Sequence, residues 1–326
     1  MQIAIINESV QRASHKVIDK ICQDFNRVEV YGDVVVIAVA DGHGSSTCKL
    51  SHVGSEIATE VFCKFAKELL NLHSTEDEIL DIIAAKGKDT IPRIICDRWT
   101  ERVKTSFNSL KITAEEYKNV EEINYELYGT TLLGMIITKK YIYAMQIGDG
   151  DIAFVSKNGV NYVVDPPKFL GTETFSLSND KPWKNVVTHF QRFEYENQLP
   201  CMFVLSTDGF SNSFINDEQY KVACNDYFET VIKYGAEEVQ KNLGEWLSQT
   251  SAEGCGDDVT LAGVCFFSDE DREALINQDI EVTEVPDNKE VFSETIADST
   301  VIDNNQNESE LLNTKGQMIA VEEKTD

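Results

Sequence analysis

Cations are scarce in this chain. Lys and Arg number 29 against 56 Asp and Glu, and the net charge is −27. A surface of that sign repels phosphate backbones, which argues against nucleic acid as a direct partner. No run of about 18 apolar residues occurs, so no membrane span is expected. The opening stretch MQIAIINESVQRASHK lacks the long apolar core of a signal peptide. None of the eight cysteines forms a Cys-x-x-Cys pair, and Cys63 (TEVFCKF) and Cys265 (AGVCFF) sit within apolar runs. Free, buried thiols in a reducing compartment fit best, and the expected location is cytoplasmic. No His or Cys pair stands at metal-ligand spacing, and no internal repeat is visible.

What is present is enough apolar residue for a sizeable core: 42% of 326 residues. The charge is unevenly placed. Residues 269 to 326 hold 17 acidic and 4 basic side chains and show no sustained period. Such a segment buries too little apolar surface to offset its ordering entropy. The expected division is a domain over 1–268 followed by an acidic, disordered tail over 269–326.

Apolar, β-branched runs mark strands at 34–40, 130–138, 141–148, 152–156, 160–164, 201–207 and 259–267. Lys139-Lys140 and Lys157-Asn158-Gly159 read as hairpin turns. Helical periodicity covers 55–70, 77–87, 92–107 and 225–250, the last interrupted near Gly235. The expected fold is α+β, with sheets packed on each other and helices outside.

Four of the apolar strands carry an Asp at one end. VVVIAVA runs into Asp41-Gly42-His43-Gly44, YIYAMQIG into Asp149-Gly150-Asp151, and CMFVLST into Asp208-Gly209. Asp257 and Asp258 immediately precede VTLAGVCFF. An Asp-Gly pair is ordinary turn chemistry. Four at strand termini form a pattern. If these ends meet, the last strand runs opposite to the other three and the carboxylates share one rim. Like charges at that density are costly unless cations neutralise them, and an oxygen-only set suits Mg²⁺ or Mn²⁺ better than Zn²⁺.

The ordered motifs CQD (22–24), VADGHG (39–44), YGTTLLG (128–134), IGDGD (147–151), LSTDGFS (205–211) and GDDVTL (256–261) resemble those of metal-dependent serine/threonine protein phosphatases of type 2C, in a bacterial-type form. The resemblance spans roughly residues 10 to 267. It implies a four-layer α-β-β-α sandwich of two mainly antiparallel sheets flanked by helices. It implies a centre of two Mn²⁺ or Mg²⁺ ions, with a third, looser one, at which activated water hydrolyses phosphoserine or phosphothreonine without a covalent intermediate. By resemblance, Asp41 is the bridging carboxylate and Gly42 offers its carbonyl. Asp208 and Asp257 complete the first metal's ligands, Asp24 ligates or orders metal-bound water, and Asp149 serves the third ion. His43 matches the acid that protonates the leaving alkoxide. The implied partners are a phosphorylated protein and a cognate Ser/Thr kinase.

The sequence also departs from the family. Asp19 stands where an arginine commonly holds the substrate phosphate; Arg12, His15, Lys16 and Lys20 are the candidate substitutes. Gln23 replaces a common Glu, and Asp258 a common Asn. Asp151 is expected to be a solvated hairpin residue, and Gly129-Thr130-Thr131 to serve strand packing. CDRWTER (96–102) has the Cys-x₅-Arg spacing of cysteine phosphatases, but no glycine and a helical stripe through it. The competing functions are a non-catalytic phosphoprotein-binding module of the same fold and a phosphatase of small phosphomonoesters.

Overall fold

The computed structural model describes residues 1–12, 21–72, 75–165 and 174–283. The chain divides into two units, Met1–Gln278 and Asp279–Asp326. The first holds two five-stranded antiparallel sheets. One has the order β1 (Gln2–Val10), β10 (Val259–Phe267), β9 (Cys201–Ser206), β6 (Asp151–Ser156), β7 (Gly159–Tyr162). The other runs β2 (Phe25–Tyr31), β3 (Val34–Ala40), β4 (Leu132–Ile137), β5 (Tyr141–Ile147), β8 (Val187–Arg192).

The two-residue period of a strand explains the layers. In β3, Val35, Ile37 and Val39 face a core shared with Phe203, Leu205, Val264 and Phe266 of the other sheet. Val36, Ala38 and Ala40 face helices α1 (Ser51–Leu72), α2 (Glu76–Lys86) and α3 (Thr90–Thr113). A strand buried on both faces has no polar position to give up, hence the unbroken apolar run. The first sheet's outer face packs likewise on α5 (Asp217–Tyr234) and α6 (Ala236–Glu253), through Phe228, Val231, Leu243 and Leu247. A one-turn helix, α4 (Asp208–Ser211), follows β9. The result is the expected α-β-β-α sandwich.

Three strands escape the apolar-run criterion: β1, β2 and β8. All are edge strands, paired on one side only. FNRVEVY and VTHFQR carry charge and leave most side chains partly exposed. Polar edges discourage pairing with another chain, and they also break the hydrophobic signal.

Helix α7 (Asp269–Thr283) begins at the boundary expected after residue 268. Its start is a capping box. Ser268 Oγ accepts from the Asp271 amide at 3.1 Å, and Asp271 Oδ2 accepts from the Ser268 amide at 2.9 Å. Arg272 Nε donates to the Ile232 carbonyl at the end of α5, 2.7 Å away. The rest of the expected tail, from 284, lies outside the described residues. No helix among the described residues is long and apolar enough to cross a membrane.

Candidate active site

Strand direction brings the aspartates together. Residue 40 at the end of β3 pairs with Phe25 at the start of β2, and Ile147 at the end of β5 pairs with Leu132 at the start of β4. Ser206, ending β9, pairs with Leu261 of β10 and with Asp151, which opens β6. Val10, the last residue of β1, pairs with Val259. Asp24, Asp41, Asp149, Asp208, Asp257 and Arg12 therefore lie at the same end of their sheets. β10 runs opposite to β9, as the pattern of strand ends requires.

Backbone hydrogen bonds fix Asp41. Its carbonyl accepts from Thr130 Oγ1 and from the Thr131 amide, both at 2.8 Å, and its amide donates to Thr131 Oγ1 at 2.9 Å. The Gly129 carbonyl accepts from the His43 amide at 3.0 Å. Gly129-Thr130-Thr131 thus anchors the Asp41–His43 turn, beyond the strand packing expected of it. Two glycines are dictated by contact. A Cβ on Gly42 would lie 2.5 Å from the Gln23 carbonyl oxygen, and one on Gly129 would lie 2.7 Å from the His43 ring.

Gln23 is a second anchor. Its side-chain amide donates to the His43 carbonyl at 3.0 Å and to Ser51 Oγ. Its carbonyl accepts from Ser55 Oγ at 2.6 Å and from the Gly42 amide at 3.2 Å. Asp258 clasps both ends of the β1–β2 connection: Oδ1 accepts from the Arg12 amide at 2.9 Å, and Oδ2 from the Gln23 amide at 2.7 Å. Neither role is signalled by residue type alone, because both depend on backbone groups distant in sequence.

The other carboxylates press on one another. Burial, then repulsion from Asp24 and Asp208, holds the Asp41 pKa well above the carboxylate range. Burial and Asp149 push Asp208 up to about 6. Asp24 is 4% exposed, and burial and then Asp258 raise its pKa, although Thr207 Oγ1 donates to its Oδ2 at 2.8 Å. Asp257 Oδ1 accepts from the Asp258 amide at 2.9 Å and lies 3.5 Å from Arg12 Nη1. His43 is half-buried; burial lowers its pKa and the Asp149 charge works against that shift.

Among the described residues, no three His, Cys, Asp or Glu side chains stand close enough to hold one ion. Their oxygens face local donors instead: Thr207 for Asp24, Asn212 for Asp208, the Asp258 amide for Asp257. The donor chemistry nonetheless fits a hard divalent cation, which would relieve the mutual repulsion of an oxygen-only set. His15, Lys16 and Lys20 lie outside the described residues, so of the expected phosphate ligands only Arg12 is located. Asp151 is a correction: it is 4% exposed, and burial lifts its pKa to about 6 against a hydrogen bond from Ser211. Cys96 and Arg102 both lie on α3. Burial pushes that thiol up to about 12, and Arg102 pairs with Glu60 at 3.0 Å, so no thiolate loop exists there.

The protein phosphatase 2C family model matches residues 12–248. The chain belongs to this family. No curated protein matches it. Among solved structures, it is similar to a bacterial serine phosphatase: 15% identity, 82% of this chain and 99% of that one, TM-score 0.53. A serine/threonine phosphatase from S. agalactiae gives 15% identity, 82% and 100% coverage, and a TM-score of 0.50. A C. elegans sex-determining protein gives 15% identity, 85% and 68% coverage, and a TM-score of 0.54. At these identities the likeness is one of fold. The family's two-sheet sandwich agrees with the layers described above.

Proposed function

We propose that this protein hydrolyses phosphoserine and phosphothreonine in a protein substrate, using Mn²⁺ or Mg²⁺ held by Asp41, the Gly42 carbonyl, Asp208, Asp257, Asp24 and Asp149. The observation that supports this reading is the gathering of five aspartates at one end of the sheets, where burial and neighbouring carboxylates raise the pKa of Asp24, Asp41 and Asp208, beside half-buried His43. When bound, the divalent ions would supply charge neutralisation and an activated water for in-line attack. The chain's own residues do the rest. Thr130 and Thr131 aim Asp41, while Gln23 and Gly129 hold the His43 backbone. His43 then offers a proton to the departing alkoxide, which is too basic to leave unaided. Arg12, 3.5 Å from Asp257, is the described cation best placed to meet substrate phosphate. A cytoplasmic setting and a kinase acting on the same substrate accompany this reading. The catalytic unit is taken to include α7 as far as Gln278, with the acidic remainder as an appendage.

A second reading, a non-catalytic phosphoprotein-binding module, draws on Asp24 being turned onto Thr207 and on the engaged amide of Gln23. One experiment separates the two. Hydrolysis of a phosphothreonine peptide is measured with Mn²⁺, with Mg²⁺ and with EDTA, alongside Asp208→Ala. Turnover that needs metal and vanishes in the variant supports the enzyme. No turnover with any divalent ion, from folded protein, supports the module. Free phosphoserine in the same assay tests the small-phosphomonoester alternative.

A further inference from the structure

Beside His43 the surface opens into a groove of about 770 Å³, within the roughly 300–1,000 Å³ range of ligand sites. One wall is the loop after Asp41, including Thr47. The second carries Asn124, Tyr125 and Glu126, and the third Thr174 and Ser178. The lining is polar, and among its described residues there is no Lys or Arg and a single charge, Glu126. Thr47 Oγ1 donates to Glu126 Oε1 at 3.0 Å, which fixes the carboxylate while leaving it exposed. Thr174 Oγ1 is buried with no hydrogen-bond partner.

Resting on the phosphatase reading, we propose that this groove binds the polypeptide flanking the phosphorylated residue, and that Glu126 selects a Lys or Arg in that flank. The position supports this. The groove begins at the residue that protonates the leaving alkoxide, so the chain bearing that alkoxide must leave the rim past it. Hydroxyls and amides hydrogen-bond an extended backbone without reading its sequence, whereas a lone carboxylate, with no competing cation among the groove's described residues, reads charge. A small phosphomonoester would leave the groove empty. The whole molecule's negative charge also attracts basic peptides, but that effect is diffuse and screened by salt.

The test uses phosphothreonine peptides matched except for Lys, Ala or Glu at each of the flanking positions. Wild type, Glu126→Gln and Glu126→Lys are compared at physiological salt, with p-nitrophenyl phosphate in parallel. The Lys peptide should exceed the Ala peptide about fivefold in kcat/KM through KM, the size of one exposed ion pair. Glu126→Gln keeps the oxygen that accepts from Thr47 and should flatten the preference; Glu126→Lys should invert it. Turnover of p-nitrophenyl phosphate should not change. A preference that survives Glu126→Lys, or an equal loss on both substrates, overturns the proposal. If wild type turns over neither substrate, the phosphatase reading fails. Fluorescence anisotropy of the same labelled peptides then decides: Lys-dependent binding lost in Glu126→Lys supports the groove, and its absence overturns it.

Discussion

Asp258 and Asp41 border the same rim and are treated in opposite ways. Asp258 is 5% exposed, yet two backbone amides 246 and 235 residues away in sequence meet its two oxygens. Asp41 has its backbone held on both sides while its carboxyl is left against Asp208. The chain satisfies one carboxylate with its own donors and withholds them from the other. A buried charge with hydrogen bonds stabilises a connection; one without them is strained until a cation arrives. Stability is given up at Asp41, whose carboxyl is pressed by Asp24 and Asp208, and kept at Asp258, which separates candidate chemistry from scaffold.

The sharpest way to break the comparison is to remove the strained pair. Asp208→Ala should reduce phosphothreonine-peptide hydrolysis to the level seen in EDTA. It should also raise the melting temperature of the metal-free protein, because a repelling charge is gone; a gain of about 1 kcal/mol is expected. Activity and metal-free stability thus move in opposite directions. A variant that loses both would make Asp208 part of the scaffold, like Asp258.

His43→Ala tests the neighbouring imidazole. Loss of a general acid costs about 10²–10⁴-fold for an alkoxide leaving group. The loss should be far smaller for p-nitrophenyl phosphate, whose leaving group needs no proton. Equal losses on both substrates would mean that His43 supports structure only.

Asp258 should behave in the reverse sense. Asp258→Ala orphans two amides at the ends of the β1–β2 connection, at about 1–3 kcal/mol each. Urea midpoints should fall accordingly, with or without metal. Asp258→Asn keeps one acceptor and should lose about half as much.

The inner strands could be read from sequence because they are buried on both faces. VVVIAVA and VTLAGVCFF have no exposed position at which polarity could interrupt the run. The edge strands β1, β2 and β8 could not, since one-sided pairing and partial exposure admit Asn, Glu, Arg and His. The rim was visible for the same reason as the inner strands: an Asp ending a buried strand stands out. Its supports were not. Thr131, Gln23 and Asp258 act through backbone groups that only the register of β2, β3, β4 and β10 brings near. Asp151 read as a hairpin residue because Gly150 precedes it, yet it opens β6 against Ser206 and is buried there. A Ser-x-x-Asp capping box at 268–271 was available as a helix signal, but the acidity of the segment masked it.

The pH dependence of metal-free stability is the most diagnostic of which carboxylates are strained. Asp208 titrates near 6 in the metal-free fold, against about 3.9 in an unfolded chain. The folded protein therefore binds protons more readily than the unfolded one between these values, and metal-free stability rises as pH falls from 7.5 through 6 toward 4. The gain attributable to Asp208 is about 2 kcal/mol, with Asp41 and Asp24 contributing in the same direction. Saturating Mn²⁺ should flatten the profile, because a bound cation favours the charged carboxylates. Asp208→Asn should flatten it in part. Chemical denaturation in EDTA at three pH values measures this directly. A metal-free protein that loses stability on acidification over this window would mean that donors, not one another, face the rim carboxylates.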